Sequence, residues 1–201
     1  MPTITDSPVP HVIFRKAKRV YIRPILPEDI PWFVVWINDG EVTQYLRTSF
    51  PFTPGEEYKW YEDMQKEKGK QAIFAIVLAE THTLIGVMGL ESLDHISGTA
   101  VTGSYIGSKE HWGKGYGTEA KMLVLEYAFN TLNLRKICAV VYDFNPRSKR
   151  CLEKCGYKEE GRRKAQHYRN GRYADDYLMA VFKDDFLPLW KVFEKEVLVK
   201  E

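Results

Sequence analysis

Trp112-Gly113-Lys114-Gly115-Tyr116-Gly117-Thr118 stands between a strand-like run, Thr99 to Ile106, and the most regular helical pattern of the chain. Glycines let the backbone approach an anion closely, and the first N–H groups of the helix that follows have no intrahelical partner. Those groups lie at the positive end of the helix dipole, so the stretch reads as a cradle for a pyrophosphate. A glycine turn with no ligand is the plain alternative, because short glycine patterns recur by accident. The stretch is not a P-loop, since Gly, four residues and then Gly-Lys-Ser/Thr occurs nowhere in the chain. It also lacks the setting of a dinucleotide-binding loop, which follows the first strand of a parallel βαβ unit.

Outward from this loop, Ala120, Leu123, Val124, Tyr127 and Ala128 recur at helical spacing, predicting a helix over Gly115 to Asn133. Upstream, Ala72 to Leu78, Leu84 to Leu93 and Thr99 to Ile106 are separated by short turn-like breaks and read as antiparallel strands. Still earlier come a strand at Val20 to Ile25, a helix over Ile30 to Ile37 with Pro31 in its first turn, and a helix from Pro54 to about Glu67. The last is announced by Thr53-Pro54-Gly55-Glu56, a capping-box pattern with proline at the first helical position. Downstream, Ile137 to Tyr142 is a near-continuous apolar strand, and a helix from Pro146 to Lys154 ends at Cys155-Gly156 with Gly156 as left-handed cap. Strands at Tyr157 to His167 and Tyr173 to Phe182, joined by the turn Asn170-Gly171, complete the pattern.

The 201 residues carry 29 Lys+Arg against 27 Asp+Glu, a formal charge of +2, which disfavours a protein built to neutralise nucleic-acid phosphates. No apolar run approaches the roughly 20 residues of a membrane-spanning helix. Met1 to Pro10 lacks a basic segment followed by an apolar one, so a cleaved secretory signal is not expected and a cytoplasmic location is. Cys138, Cys151 and Cys155 form an odd set that reads as reduced thiols, and no further ligands complete a metal site around the pair at 151 and 155.

Gly113-Lys114-Gly115-Tyr116-Gly117-Thr118-Glu119-Ala120, Tyr127-Ala128-Phe129, Leu132-Asn133-Leu134, Asn145-Pro146-Arg147-Ser148, Cys155-Gly156-Tyr157, Glu160-Gly161 and Asn170-Gly171-Arg172-Tyr173-Ala174-Asp175 follow one another in an order that resembles the GNAT N-acetyltransferase superfamily. The branch it resembles is the one typified by the ribosomal-protein N-terminal acetyltransferases RimJ and RimL. The resemblance spans Val20 to Asp184, which implies an acetyltransferase domain at 20–184 with an arm at 1–19 and a tail at 185–201. It implies a mixed α/β fold, with a mostly antiparallel sheet flanked by helices and splayed between the strands at Thr99 to Ile106 and Ile137 to Tyr142. Acetyl-CoA would lie in that cleft, its pantetheine arm against the backbone of Tyr105, Ile106 and Gly107 and its pyrophosphate on Trp112 to Thr118. Trp112 departs from the superfamily's usual Gln or Arg at this place.

By the same resemblance Asn145 would hydrogen-bond the pantetheine, although an asparagine followed by Pro146 is also a good helix N-cap. Many relatives carry a tyrosine seven residues later as the acid that protonates the departing thiolate; this chain has Leu152 there. Ser148 is the next candidate acid. The implied reaction is direct attack of a primary amine on the acetyl thioester, most simply a protein N-terminus, with a polyamine or an amino-bearing antibiotic as the alternative acceptor. A noncatalytic CoA- or peptide-binding module is the reading outside enzymology. The amine must lose a proton, and Glu91 and then His167 are the candidate bases. Monomer and homodimer are both compatible with this reading.

Overall fold

A computed structural model describes residues 12–67, 69–169 and 171–197. In chain order the strands are β1 (Arg15–Lys16), β2 (Val20–Pro24), β3 (Ala72–Leu78), β4 (Leu84–Asp94), β5 (Thr99–Ile106), β6 (Lys136–Tyr142), β7 (Lys158–Arg169) and β8 (Arg172–Phe182). The α-helices are α1 (Ile30–Ile37), α2 (Gly40–Thr43), α3 (Pro54–Lys66), α4 (Tyr116–Glu126), α5 (Pro146–Lys154) and α6 (Lys183–Val197).

The strands form one sheet in the order β1-β2-β3-β4-β5-β6-β8-β7, antiparallel throughout except between β5 and β6. Period-two alternation splits each strand between two layers. Val20, Ile22, Phe74 and Ile76 face a large core shared with Ala120, Leu123 and Val124 of α4. Tyr21, Ala75 and Val77 face a smaller core built with Ile30, Phe33 and Trp36 of the α1 region. Parallel pairing of β5 with β6 covers only Thr99–Val101 against Lys136–Cys138. Beyond those pairs the strands diverge, and the sheet opens into a V whose sides are the second half of each strand.

Local chemistry sets the ends of the elements. Thr53 caps α3 through the reciprocal pair predicted from the sequence: Glu56 N–H donates to Thr53 Oγ1 at 3.3 Å and Thr53 N–H donates to Glu56 Oε2 at 2.7 Å. Gly156 sits at φ +89°, and a Cβ there would stand 2.8 Å from Leu189 Cδ1. The left-handed backbone therefore favours glycine, and any side chain there would also have to push the end of Leu189 aside.

Several limits read from the sequence move. The predicted helix over Gly115 to Asn133 is α-helical only to Glu126 and finishes as a π turn over Tyr127–Thr131, with Asn133 left-handed at φ +52°. The arm boundary at residue 19 falls inside the fold, because β1 pairs with β2 and Ala17 is fully buried. The tail boundary at 185 falls inside α6, whose Phe186 is fully buried with its ring tilted against Phe129 at a centroid distance of 5.2 Å. Residues 1–11 of the arm, residues 198–201 of the tail and Asn170 of the predicted turn lie outside the described residues. Gly171 of that turn has φ +79°. Among the described residues no helix is long and apolar enough to cross a membrane.

Candidate active site

The V between β5 and β6 is the mouth of a cleft of about 350 Å³. Thr102 to Ile106 line one side, Ala139 to Tyr142 the other, and the glycine loop with the start of α4 lies at one end. Gly113 and Gly115 adopt φ of +73° and +86°, so the turn demands glycine at both places. Gly115 is the N-cap of α4, and no side chain among the described residues caps that helix. Its leading N–H groups are thus left for an anion, which fits the residues to a pyrophosphate. Trp112, Gly113, Gly115, Tyr116, Gly117 and Thr118 line the cleft, whereas Lys114 turns outward and uses its carbonyl to accept from Arg19 Nη1 at 2.9 Å.

Arg19 is a support that sequence reasoning missed. Its guanidinium also pairs with the buried Glu119 of α4 and lies over the Tyr116 ring. Trp112 has its own role: the indole Nε1–H donates to Ile106 O at 2.6 Å, fastening the loop to the end of β5, and Arg147 stacks 4.3 Å from its ring. The Gln or Arg expected from the resemblance is thereby replaced by an anchor and a cation platform.

Tyr105 and Ile106 line the cleft, and Gly107 does not, because it lies under Trp36. Burial pushes the Tyr105 phenol upward, with the nearby Glu57 carboxylate adding to the shift. Asn145 and Ser148 line the cleft together. Asn145 Oδ1 accepts from Ser148 N–H at 3.1 Å, so the capping role is realised while its amide N–H groups make no bond within the described residues.

The two candidate bases fare differently. Glu91 is exposed on β4 beside Gly103 and does not line the cleft. Strand alternation is the reason: the residue that faces the large core is Leu90, and Glu91 points to the opposite layer. His167 does not line the cleft itself, but its Nε2 lies 3.0 Å from Asp176 Oδ2, and Asp176 does line it. Asp176 is wholly buried; Arg47 and Arg163 each stand 3.9 Å from Oδ2, while Oδ1 has no hydrogen-bond partner among the described residues. A buried carboxylate oxygen left unpaired costs about 1–3 kcal/mol or more, so such atoms collect where ligands bind.

Lys121 of α4 is a second buried charge on the cleft wall, held by one 3.3 Å hydrogen bond from Nζ to Ser104 Oγ. Burial pushes its ammonium down from the ordinary lysine value. Cys151, which also lines the cleft, is drawn down to about 6 by a hydrogen bond with Cys155 and, after the opposing effect of burial, by Lys121. Cys138 is shifted up by burial, as a packed thiol in an apolar strand should be.

The sequence profile of the acetyltransferase (GNAT) domain family matches residues 19–158. The chain belongs to that family. It is an acetyl-CoA-dependent N-acetyltransferase, and acetyl-CoA is the co-substrate that the cleft and its glycine loop fit. Among its relatives, the uncharacterized N-acetyltransferase p20 of Bacillus licheniformis is 30% identical over 173 residues, covering 85% of this chain and 96% of that one. The spermidine N(1)-acetyltransferase of Escherichia coli K12 is 27% identical over 172 residues, covering 85% and 90%. A crystal structure of spermidine N-acetyltransferase from Vibrio cholerae, in complex with CoA and spermine, superposes with a TM-score of 0.76 at 26% identity, covering 84% of this chain and 98% of that one.

Proposed function

We propose that the acceptor is the primary amine of a small polycationic molecule of the polyamine type. The observation that carries this reading is the likeness, over 84–85% of the chain, to spermidine N-acetyltransferases, one of them solved with spermine. The cleft supports it chemically through Asp176, whose free Oδ1 is the kind of acceptor a primary ammonium seeks. A ribosomal-protein N-terminus, expected from the RimJ/RimL resemblance, has no comparable support and becomes the contrasting arm of the test. The cytoplasmic location and an assembly no larger than a homodimer are carried with this reading.

In the mechanism we propose, the N–H groups of the loop over 112–118 hold the pyrophosphate, and the backbone of Tyr105 and Ile106 with the Asn145 amide aligns the pantetheine. The acceptor's ammonium docks on Asp176 Oδ1. His167, bonded to Asp176 and partly open to solvent, draws off the proton that must leave before nitrogen can attack. The neutral amine then attacks the thioester carbonyl carbon directly. Glu91, exposed and outside the cleft lining, acts at most through water, and Ser148 contributes its hydroxyl to the cleft wall.

The test is thiol release from acetyl-CoA against spermidine, spermine, aminoglycosides and peptides with free N-termini. Turnover with polyamines at least tenfold above that with peptides is expected. Preference for a peptide would overturn the acceptor assignment, and thiol release with none of the amines would overturn the catalytic reading of the cleft.

A further inference from the structure

Departure of the CoA thiolate calls for a proton, and the residue at the place where many relatives keep a tyrosine is the aliphatic Leu152. Leu152 lines the cleft, and so does Lys121, which reaches the same wall from the neighbouring helix α4. Lys121 is only 3% exposed, yet among the described residues its Nζ has the single bond to Ser104 Oγ, whereas an ammonium carries three donors. The titratable groups packed against it are the thiols of Cys151 on α5 and of Cys155 at its C-terminal cap; among the described residues no carboxylate faces it. Buried lysines are ordinarily paired, so a lysine with spare donors on the wall of a substrate cleft is shaped for something the substrate brings.

The geometry points to Lys121 as the catalytic acid that protonates the departing thiolate of CoA. The inference rests on the acetyl-transfer reading of the cleft. In the step, the acceptor nitrogen's lone pair forms the N–C bond and the C–S bond breaks, leaving its electron pair on sulfur. One Nζ–H proton moves to that sulfur, and the neutral Lys121 regains a proton from water after the products leave. The proton shed by the acceptor nitrogen departs separately, on the Asp176 and His167 side. Burial lowers the ammonium from its ordinary value, and an acid nearer the operating pH gives up its proton more readily. Cys151, drawn down first by its hydrogen bond with Cys155 and in part by Lys121, supplies as its thiolate a counter-charge that favours the lysine's protonated form.

Three preparations test this: wild type, Lys121→Met, which keeps the bulk without a proton, and Lys121→Arg, which keeps the charge but holds its proton too tightly to donate. The wild type is first assayed with the amine panel; failure there strikes the acetyl-transfer reading and not the lysine. Given turnover, both variants should bind acetyl-CoA within about threefold of wild type by calorimetry and lose about 10²–10⁴-fold in kcat. The wild-type kcat should fall as pH rises through the lysine's pKa, and this limb should vanish in Lys121→Met. A readout independent of turnover is the thiolate absorbance of bound CoA, taken as a difference from bound desulfo-CoA so that protein thiols cancel. Wild type should show the CoA thiol ionising at lower pH than Lys121→Met does. Unchanged kcat in both variants, or an unshifted CoA thiol, would overturn the assignment. So would loss of acetyl-CoA affinity with kcat intact at saturation, which would make Lys121 an anchor. Should Lys121→Met not fold, Lys121→Arg kinetics and the wild-type thiol titration against free CoA decide.

Discussion

Replacing Gly107 by alanine should destabilise the fold by an amount that can be worked from the contacts. A Cβ at this position would lie 2.0 Å from Trp36 Cδ2 and 2.3 Å from both Cγ and Cε3, well inside the roughly 3.5–4.0 Å of carbon–carbon contact. Neither partner yields easily. Gly107 N–H donates to Ile85 O at 2.9 Å, which fixes the end of β5, and the Trp36 ring is wedged among Phe33, Trp32 and Tyr105 at centroid distances of 6.0–6.4 Å. Displacing the indole adds an overpacking cost of about 1–3 kcal/mol to lost aromatic contacts of about 0.5–1.5 kcal/mol. The total, about 2–4 kcal/mol, corresponds to a melting temperature lowered by about 5–15 °C for a chain of this size. Trp36→Leu should cost stability alone yet recover part of the loss in Gly107→Ala, a coupling that a double-mutant cycle by thermal denaturation measures. A Gly107→Ala protein melting within about 1 °C of wild type, or strictly additive effects of the two changes, would refute the reasoning.

Asp176→Asn should raise the KM for the amine acceptor by about 10–100-fold, the worth of a hydrogen bond to a charged group, while calorimetry shows acetyl-CoA affinity unchanged. Cys151 should be alkylated by iodoacetamide with a rate that rises through a pH near 6 and then levels, should be protected by acetyl-CoA, and should outpace Cys138, whose thiol burial holds up; peptide mapping by mass spectrometry reads all three. Lys121 has a folded pKa below its ordinary 10.5, so folding carries a penalty that is full below the folded value and fades as pH rises towards 10.5. Lys121→Met should accordingly melt higher than wild type near neutral pH, with the difference shrinking in alkaline buffers.

The elements legible in the sequence are those whose signal is local. β3 and β5 cover the residues their apolar runs predicted, α5 starts and stops at Pro146 and Lys154, and the capping box of α3 appears bond for bond. What escaped was organised by tertiary contact. β1 is two residues long and exists because Arg15 and Lys16 pair with Ile22 and Tyr21, not because of any propensity of its own. In α6 the apolar residues Phe186, Trp190 and Phe193 repeat at helical spacing, but Pro188 interrupts the pattern, and with Lys191 and the charged run Glu194 to Glu196 the segment reads as an apolar-charged tail. The π turn after α4 has no sequence signature at this level; it shows in the Leu132 N–H that donates five residues back to Tyr127 O at 3.0 Å, followed by the chain reversal that sends Leu134 N–H to Ala128 O at 3.0 Å.

The same division explains why the donor side of the site was readable and the acceptor side was not. In the proposed binding mode acetyl-CoA would be held chiefly by backbone: strand edges that lack a partner where β5 leaves β6, and helix N–H groups freed by glycines at positive φ. Backbone demands of that kind write themselves into sequence as glycines at fixed spacing. The opposite end of the cleft is assembled from side chains on separate elements, with Asp176 from β8, His167 from β7, Tyr142 from β6 and Leu46 with Arg47 from the segment between α2 and α3. Nothing in the one-dimensional pattern distinguishes Asp176 from its neighbour Asp175, although the first is wholly buried and the second takes an N–H from Ala165 at 2.8 Å. Strand alternation decides between them, and it also removes Glu91, the first choice of base, from the cleft. Acceptor choice in this fold can therefore change through single strand-face substitutions that leave the glycine loop untouched, which is why a shared donor motif carries so little information about the amine.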